Sequence, residues 1–289
     1  MSGIPAPGVW RLTVVLLAIV SAVLAYPWRS TSDRWALGVA VAVAVVALIW
    51  WRGRYLTTIV GRRLRVLLHR KPIHVASADL RVTGADAVTT VLVRVEGRDR
   101  ELPHGLLAGY LDRYGLRCDA VRVTTHTTQA GVTTWIGLTV SGARNLSALQ
   151  GRSARIPLRE TAENAARRLV RHLGELGWTA TLADPDQVPD LVAADARERW
   201  QSVTDARGHL TTYAATTLEA LAGVREGGIE SWTVVEIAGT SGTDRIRAGA
   251  AIRTEDQPTA SLPGLVLITG RQAGALAALH PLSGARLVN

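Results

Sequence analysis

Two aspartates, Asp184 and Asp186, flank a proline at the end of the stretch "WTATLADPD". Carboxylates so placed can hold a divalent cation that bridges the phosphates of a sugar nucleotide. The competing reading is a proline turn in which an Asp caps the element that follows. Proline between the two acids, and the lack of a basic clamp for phosphate, favour the turn. The other groups that could do chemistry are dispersed. The seven histidines form no H-x-x-x-H pair and stand beside no carboxylate at metal-ligand spacing. Cys118 is the single cysteine, so neither an internal disulfide nor a multi-cysteine metal site can form. The only lysine is Lys71, which excludes a G-x-x-x-x-G-K-[ST] phosphate loop, and no G-x-S-x-G occurs. "AGTSGTDR" reads as a hairpin turn rather than a dinucleotide loop. No catalytic residue, cofactor or metal ligand is expected.

The elements that would carry such groups fall into two parts. Residues 9–28, "VWRLTVVLLAIVSAVLAYPW", and 35–51, "WALGVAVAVAVVALIWW", are apolar runs. As helices they would reach roughly 30 and 26 Å, near the thickness of a bilayer core. Trp10, Trp28, Trp35, Trp50 and Trp51 mark their ends, as membrane-interface anchors do. The expectation is a transmembrane hairpin over 9–52, after a short N-terminus of residues 1–8. Ala18 and Ala22, and Gly38 and Ala42, stand four apart, a spacing that lets helices pack closely against each other or against another protein. The runs hold no Asp, Glu, Lys or His, which argues against an ion path through this chain alone.

The net charge of +9 is confined to this part. Residues 1–71 contain ten Lys or Arg and one acid, Asp33; the 23 Arg and 23 acids beyond residue 71 cancel. The remainder is therefore not a nucleic-acid binder by charge. Arg52, Arg54, Arg62, Arg63, Arg65, Arg70 and Lys71 follow the second run, against Arg29 and Arg34 in the turn between the runs. By the positive-inside bias, the turn faces outward, and the N-terminus and the large C-terminal part face the cytoplasm. Residues 53–72 are expected to form an amphipathic helix, its basic side towards anionic lipid headgroups.

Beyond residue 72 the periodicity alternates between 2 and 3.6 residues. Strands are expected at 88–95, 119–127, 133–142 and 178–184, with helices at 104–115 and 158–176. That order is β-α-β-β-α-β, the ferredoxin-like pattern. A weaker echo follows: a hairpin around "DARG", a short helix near 217–225, strands at 231–238 and 245–254, and a helix near 270–280. The fold class is α/β (α+β), with a first lobe at 73–184 and a second, related lobe at 185–289, or one mixed sheet built from both. Trp135, Trp178, Trp200 and Trp232 are expected in the core.

A tryptophan-bounded membrane hairpin, then "WWRGRYLTTIVGRRLR" and a cytoplasmic domain of this size, resembles the EccE family of the mycobacterial type VII (ESX) secretion system. The resemblance is most specific at 50–65 and covers the rest by order of elements. It implies a non-catalytic structural subunit of an inner-membrane protein-transport complex. The implied partners are EccB, EccC and EccD, in a hetero-oligomeric assembly whose ATPase is EccC. The alternative is a membrane-anchored, metal-dependent glycosyltransferase-like enzyme using Asp184 and Asp186.

Overall fold

The computed structural model describes residues 16, 17, 20, 23, 38, 39, 41, 50, 51, 54, 55, 87–96, 102–150, 157–226, 228–239, 245–256 and 262–287. The chain divides into two compact units, Met1–His69 and Arg70–Asn289. In the first, residues 16, 17, 20 and 23, and 38, 39 and 41, are helical, and the side chains of Leu16, Leu17, Val20, Val23, Val39 and Val41 are exposed. Trp50–Trp51 pairs antiparallel with Arg54–Tyr55. This differs from the expectation in two places: extended backbone replaces the end of the second helix at Trp50, and Arg54 and Tyr55 do not begin an amphipathic helix. Among the described residues, no helix is long and apolar enough to cross a membrane. Most of both apolar runs, and residues 56–72, lie outside the described residues.

The second unit is organised by one antiparallel sheet. Its strands are β1 (Val88–Glu96), β2 (Asp112–Arg113), β3 (Leu116–Thr128), β4 (Gly131–Ser141), β5 (Thr179–Ala183), β6 (Arg197–Glu198), β7 (Val203–Asp205), β8 (Gly208–Ala215), β9 (Glu230–Ala238), β10 (Arg245–Thr254) and β11 (Leu265–Leu267). The main path runs β5-β1-β4-β3-β9-β10-β8-β7-β6, with β2 on β3 and β11 on β8. The helices are α1 (His104–Ala108), α2 (Gly142–Gln150), α3 (Leu158–Glu175) and α4 (Gln272–Leu279). The two expected lobes are thus halves of a single sheet. They are joined where β3 pairs β9 over eight residues, from Val121↔Ile237 to Thr128↔Glu230. No parallel pair occurs among the described strands, so the sheet is not mixed.

Strand alternation sends side chains to two faces. One face packs under α1, α3 and the 3-10 turns at Gly109–Leu111 and Glu219–Glu226. Val93, Val95, Val121, Ile136, Leu138 and Ile237 meet Leu107, Ala162, Ala166, Leu169 and Leu173 there. The apolar positions of α3 recur at spacings of four, three and four, which places them on one side of the helix. Gly177, at φ +83°, ends that segment, and Leu176, expected in the stripe, is 42% exposed outside the helix.

The other face packs under α4 and the C-terminal segment, where Leu92, Trp135, Leu210, Trp232 and Val234 meet Leu276, Leu279, Leu282 and Leu287. Two glycines allow that cover to approach. A Cβ on Gly249 would lie 3.3 Å from the Leu279 side chain, and one on Gly137 would lie 3.2 Å from the Pro281 carbonyl.

Two expected elements change in detail, and one helix is new. The helix at 104–115 stops at Ala108, continues as a 3-10 turn over Gly109–Leu111, and gives way to the β2–β3 hairpin. Helix α2 was not anticipated; its Asn145 side chain bonds both backbone groups of Arg117 on β3, at 2.8 and 2.9 Å. The register of β3 against β4 shifts between Cys118 and Ala120. This irregularity flips the parity of β3. Leu116 and Cys118 before it, and Val121 and Val123 after it, all face α3, so Arg122, Thr124 and His126 turn to the α4 face.

Candidate functional site

The α4 face buries charges at strand positions flanked by apolar residues. Arg122 in "AVRVT", Glu236 in "VVEIA" and Arg253 in "AAIRT" occupy inward positions and are at most 2% exposed. Two networks account for them.

In the first, Arg253 reaches three ways. Its Nε donates to Glu230 Oε2 at 2.6 Å, one terminal nitrogen to Asp205 Oδ1 at 2.7 Å, and the other to the Leu191 carbonyl at 2.6 Å. Glu230 also accepts from His126 Nε2 at 2.8 Å and from the Trp232 indole at 3.0 Å. Asp205 also accepts from the backbone N–H groups of Ala193 and Arg207, both at 2.9 Å. Burial by itself pushes the Glu230 carboxyl up. The hydrogen bonds from His126 and Arg253, the Arg253 charge and the Trp232 N–H outweigh it and hold the acid at about 2. The His126 ring stacks on Trp232, with centroids 3.8 Å apart and planes 14° apart, and Trp135 lies 6.1 Å from Trp232 at 12°.

The second network fastens the C-terminal segment. Arg122 and Glu236 are cross-strand partners and meet at 2.6 Å. Arg122 also donates to the carbonyls of Ser283 and Ala285, each at 2.6 Å. The Leu287 N–H donates to Glu236 at 3.3 Å, and Arg247 and Arg286 stand 3.5 and 3.6 Å from the other Glu236 oxygen. His280, buried at the head of the segment, accepts the Leu282 N–H at 3.2 Å. Burial, aided by the Arg122 charge and opposed by Asp190, brings its pKa down to about 4, so the ring is neutral near pH 7.

Each of these carboxylates is engaged by a guanidinium and by further donors, so none is poised to take a proton from a substrate. The arrangement fastens backbone to backbone. Arg253 ties β10 to β9, β7 and the 191–193 loop, and Arg122 ties β3 to residues 283–285. Among the described residues no group of three or more His, Cys, Asp or Glu could hold a metal ion. Burial, then the neighbouring Asp119 charge, pushes the Cys118 thiol up to about 12, which leaves it unreactive. Asp184 and Asp186 are exposed in a 3-10 turn over Pro185–Gln187, and Asp184 makes no side-chain cap bond. They form the turn that competed with the metal reading, without the cap.

Of the other expected site residues, Trp10, Trp28, Trp35, Arg52, Arg62, Arg63, Arg65, Arg70, Lys71, Ala18, Ala22 and Ala42 lie outside the described residues. Gly38 is helical, and no described atom lies within 4 Å of a Cβ built there. Trp50, Trp51 and Arg54 are in the short strand pairing. Trp135, Trp178 and Trp232 are buried as expected; Trp200 is partly buried, its ring against Gly270. The charged row was missed. Its one sequence signal is an ionisable residue at an inward position of an alternating strand, and pairing such residues across strands needs the register.

The family model described as "Putative type VII ESX secretion system translocon, EccE" matches residues 128–215, a span from the end of β3 through β8. The ESX-3 secretion system protein EccE3 of Mycobacterium tuberculosis strain H37Rv is 44% identical, over 99% of this chain and 89% of the relative. EccE3 of Mycolicibacterium smegmatis is 40% identical, over 96% of this chain and 89% of the relative. With identity of this degree along nearly its whole length, the chain belongs to the EccE family of type VII (ESX) secretion-system components.

Proposed function

We propose that this chain is a non-catalytic structural subunit of an inner-membrane type VII secretion complex, holding a cytoplasmic domain against other core components. The observation that carries the proposal is the occupied interior: in the domain's most polar region, the buried acids bind arginines and backbone rather than an open cavity. Relatedness to proteins named as secretion components supports the assembly role. The tryptophan-bounded runs and the basic residues 52–71 support a two-helix anchor with both termini cytoplasmic, its basic segment on anionic headgroups. EccB, EccC and EccD are the partners in this reading. The first half of the sheet is ferredoxin-like in this account. Its four strands β1, β3, β4 and β5 follow the β-α-β-β-α-β order and lie side by side as β5-β1-β4-β3, with α1 and α3 on one face.

The test is native purification of the C-terminally tagged chain in mild detergent. The expected result is a large particle containing an FtsK-like ATPase and a multi-spanning subunit; a lone chain would refute the proposal. Orientation is tested by labelling single cysteines with an impermeant thiol reagent in a Cys118→Ser background. Ser30→Cys should react on intact spheroplasts, and Asp186→Cys only after the membrane is opened. Native Cys118 is no reporter, because it is 2% exposed.

A further inference from the structure

At the tip of the β2–β3 hairpin, Tyr114 and Gly115 form a two-residue turn between Arg113 and Leu116, with φ of +57° and +69°. Two positive φ values mark a type I′ turn, whose first position favours Asn, Asp or Gly. Tyr114 is the one non-glycine residue with positive φ among the described residues. A residue kept in that region despite its Cβ marks a place where strain serves some other purpose. The purpose here is not core packing, because Tyr114 is 50% exposed.

What the turn achieves is presentation. The Arg113 guanidinium lies 5.1 Å from the Tyr114 ring centre and 4.9 Å from that of Tyr110, and Arg168 of α3 lies 4.6 Å from Tyr114. The result is a ladder of Tyr110, Arg113, Tyr114 and Arg168. Arg113 also donates to His172 Nδ1 at 3.3 Å. Neither Arg113 nor Arg168 forms an ion pair with an acid among the described residues. Each guanidinium lies over a tyrosine ring beside the hairpin tip, where a carboxylate can meet its N–H groups. Tyrosine and arginine are also the side chains most often found at the centres of protein interfaces.

We infer that Tyr114, Arg113 and Arg168 form a docking site for an acidic segment of a partner protein, which places its carboxylates on the two guanidiniums and its backbone or an apolar side chain on the Tyr114 ring. The inference rests on the subunit role proposed above and adds the chemistry of one contact. An anionic membrane fits the site less well. Asp112 is exposed on the same hairpin, and Glu175 is close enough for its charge to act on Tyr110. A flat anionic surface would meet these acids, whereas a partner segment need approach only the two guanidiniums and the Tyr114 ring.

The experiment places photoreactive p-benzoyl-phenylalanine at position 114 of the full-length chain in native membranes and sequences the cross-linked peptides. The expected product is a protein segment bearing at least two Asp or Glu near the cross-link. Arg168→Glu should reduce its yield about tenfold, and an Asp→Arg change in the partner segment should restore it. Tyr114→Asn provides a second readout, because a docking role predicts less co-purified partner with unchanged or higher thermal stability of this chain. A purely structural role predicts lower stability and unchanged partner. Cross-links to lipid only, to a second copy of this chain, to a segment without acids, or to nothing would overturn the inference. A large native particle that lacks the cross-link would reject this site alone, whereas a lone chain on purification would reject the subunit role itself.

Discussion

The two faces of the sheet bury side chains by different physics. The α3 face is closed almost wholly by aliphatic and alanine side chains, Leu169 and Leu173 against Val93, Ile136 and Leu138. The α4 face buries comparable apolar residues but adds two ionic networks and an aromatic stack. Hydrophobic contact is non-directional and tolerates shifts that keep volume constant. A guanidinium that must meet two carboxylates and a carbonyl tolerates none. The two faces divide the labour: the α3 face supplies cohesion, and the α4 face specifies which strand, loop and terminal segment go where. The join between the two halves of the sheet, β3 on β9, has Arg122–Glu236 at one end and His126–Glu230 at the other.

The comparison can be broken by mutation, read as unfolding free energy of the full chain in detergent. Arg253→Met should have the largest effect, about 3–5 kcal/mol, because it leaves Glu230 and Asp205 buried without their shared cation. Leu169→Ala on the other face should cost about 3 kcal/mol through lost burial and a cavity. The double replacement Arg122→Met with Glu236→Leu sharpens the contrast. It should cost about 1–2 kcal/mol, less than Arg253→Met, because both desolvation penalties vanish together while the Ser283 and Ala285 carbonyls lose a donor, and it should loosen residues 283–287, read as faster amide exchange there. A double mutant as damaging as Arg253→Met would end the division of labour.

Acid should act on the α4 face. His280 titrates near 6.5 unfolded and about 4 folded, so between these values the unfolded chain binds a proton that the folded chain refuses. The stability held above pH 6.5 is therefore lost as pH falls towards 4, by on the order of 3 kcal/mol. His280→Gln should flatten that part of the profile of thermal midpoint against pH. Glu230 acts lower: its contribution is complete above about 4.5 and disappears as pH approaches 2. The smallest effect belongs to the surface pair Arg159–Glu163 on α3, at 3.0 Å and partly exposed. Removing it should change stability by about 0.3–0.5 kcal/mol, and a larger change would show that cohesion under α3 is not purely apolar.

Much of the fold is legible along the chain because it is local. The 158–176 stripe and its closing Gly177, the hairpin around "DARG" and the strands at 231–238 and 245–254 follow from periodicity and turn chemistry. The helix at 104–115 was overestimated because Leu106, Leu107, Tyr110 and Leu111 suit a helical face. The Tyr114–Gly115 turn and the pairing of β2 with β3 prevail over that local pattern. The charged row stayed hidden because balanced composition says nothing of depth. Its 23 arginines and 23 acids beyond residue 71 look like an ordinary solvated surface until register puts Arg122 opposite Glu236.

By itself the sequence determined the family, the order of the main strands and of helices α3 and α4, and the absence of any motif with the spacing of an active site. It did so because family likeness, periodicity and motif spacing are all written along one dimension. Tertiary structure alone decided that the two halves share one sheet, that the shift at Cys118–Ala120 turns Arg122 and His126 towards α4, and that Tyr114 stands between two guanidiniums. Each of these depends on which residues meet across paired or packed elements, which order along the chain does not set. The physical reason is that a one-residue change of register moves every later side chain to the opposite face, and only the packed sheet sets that register.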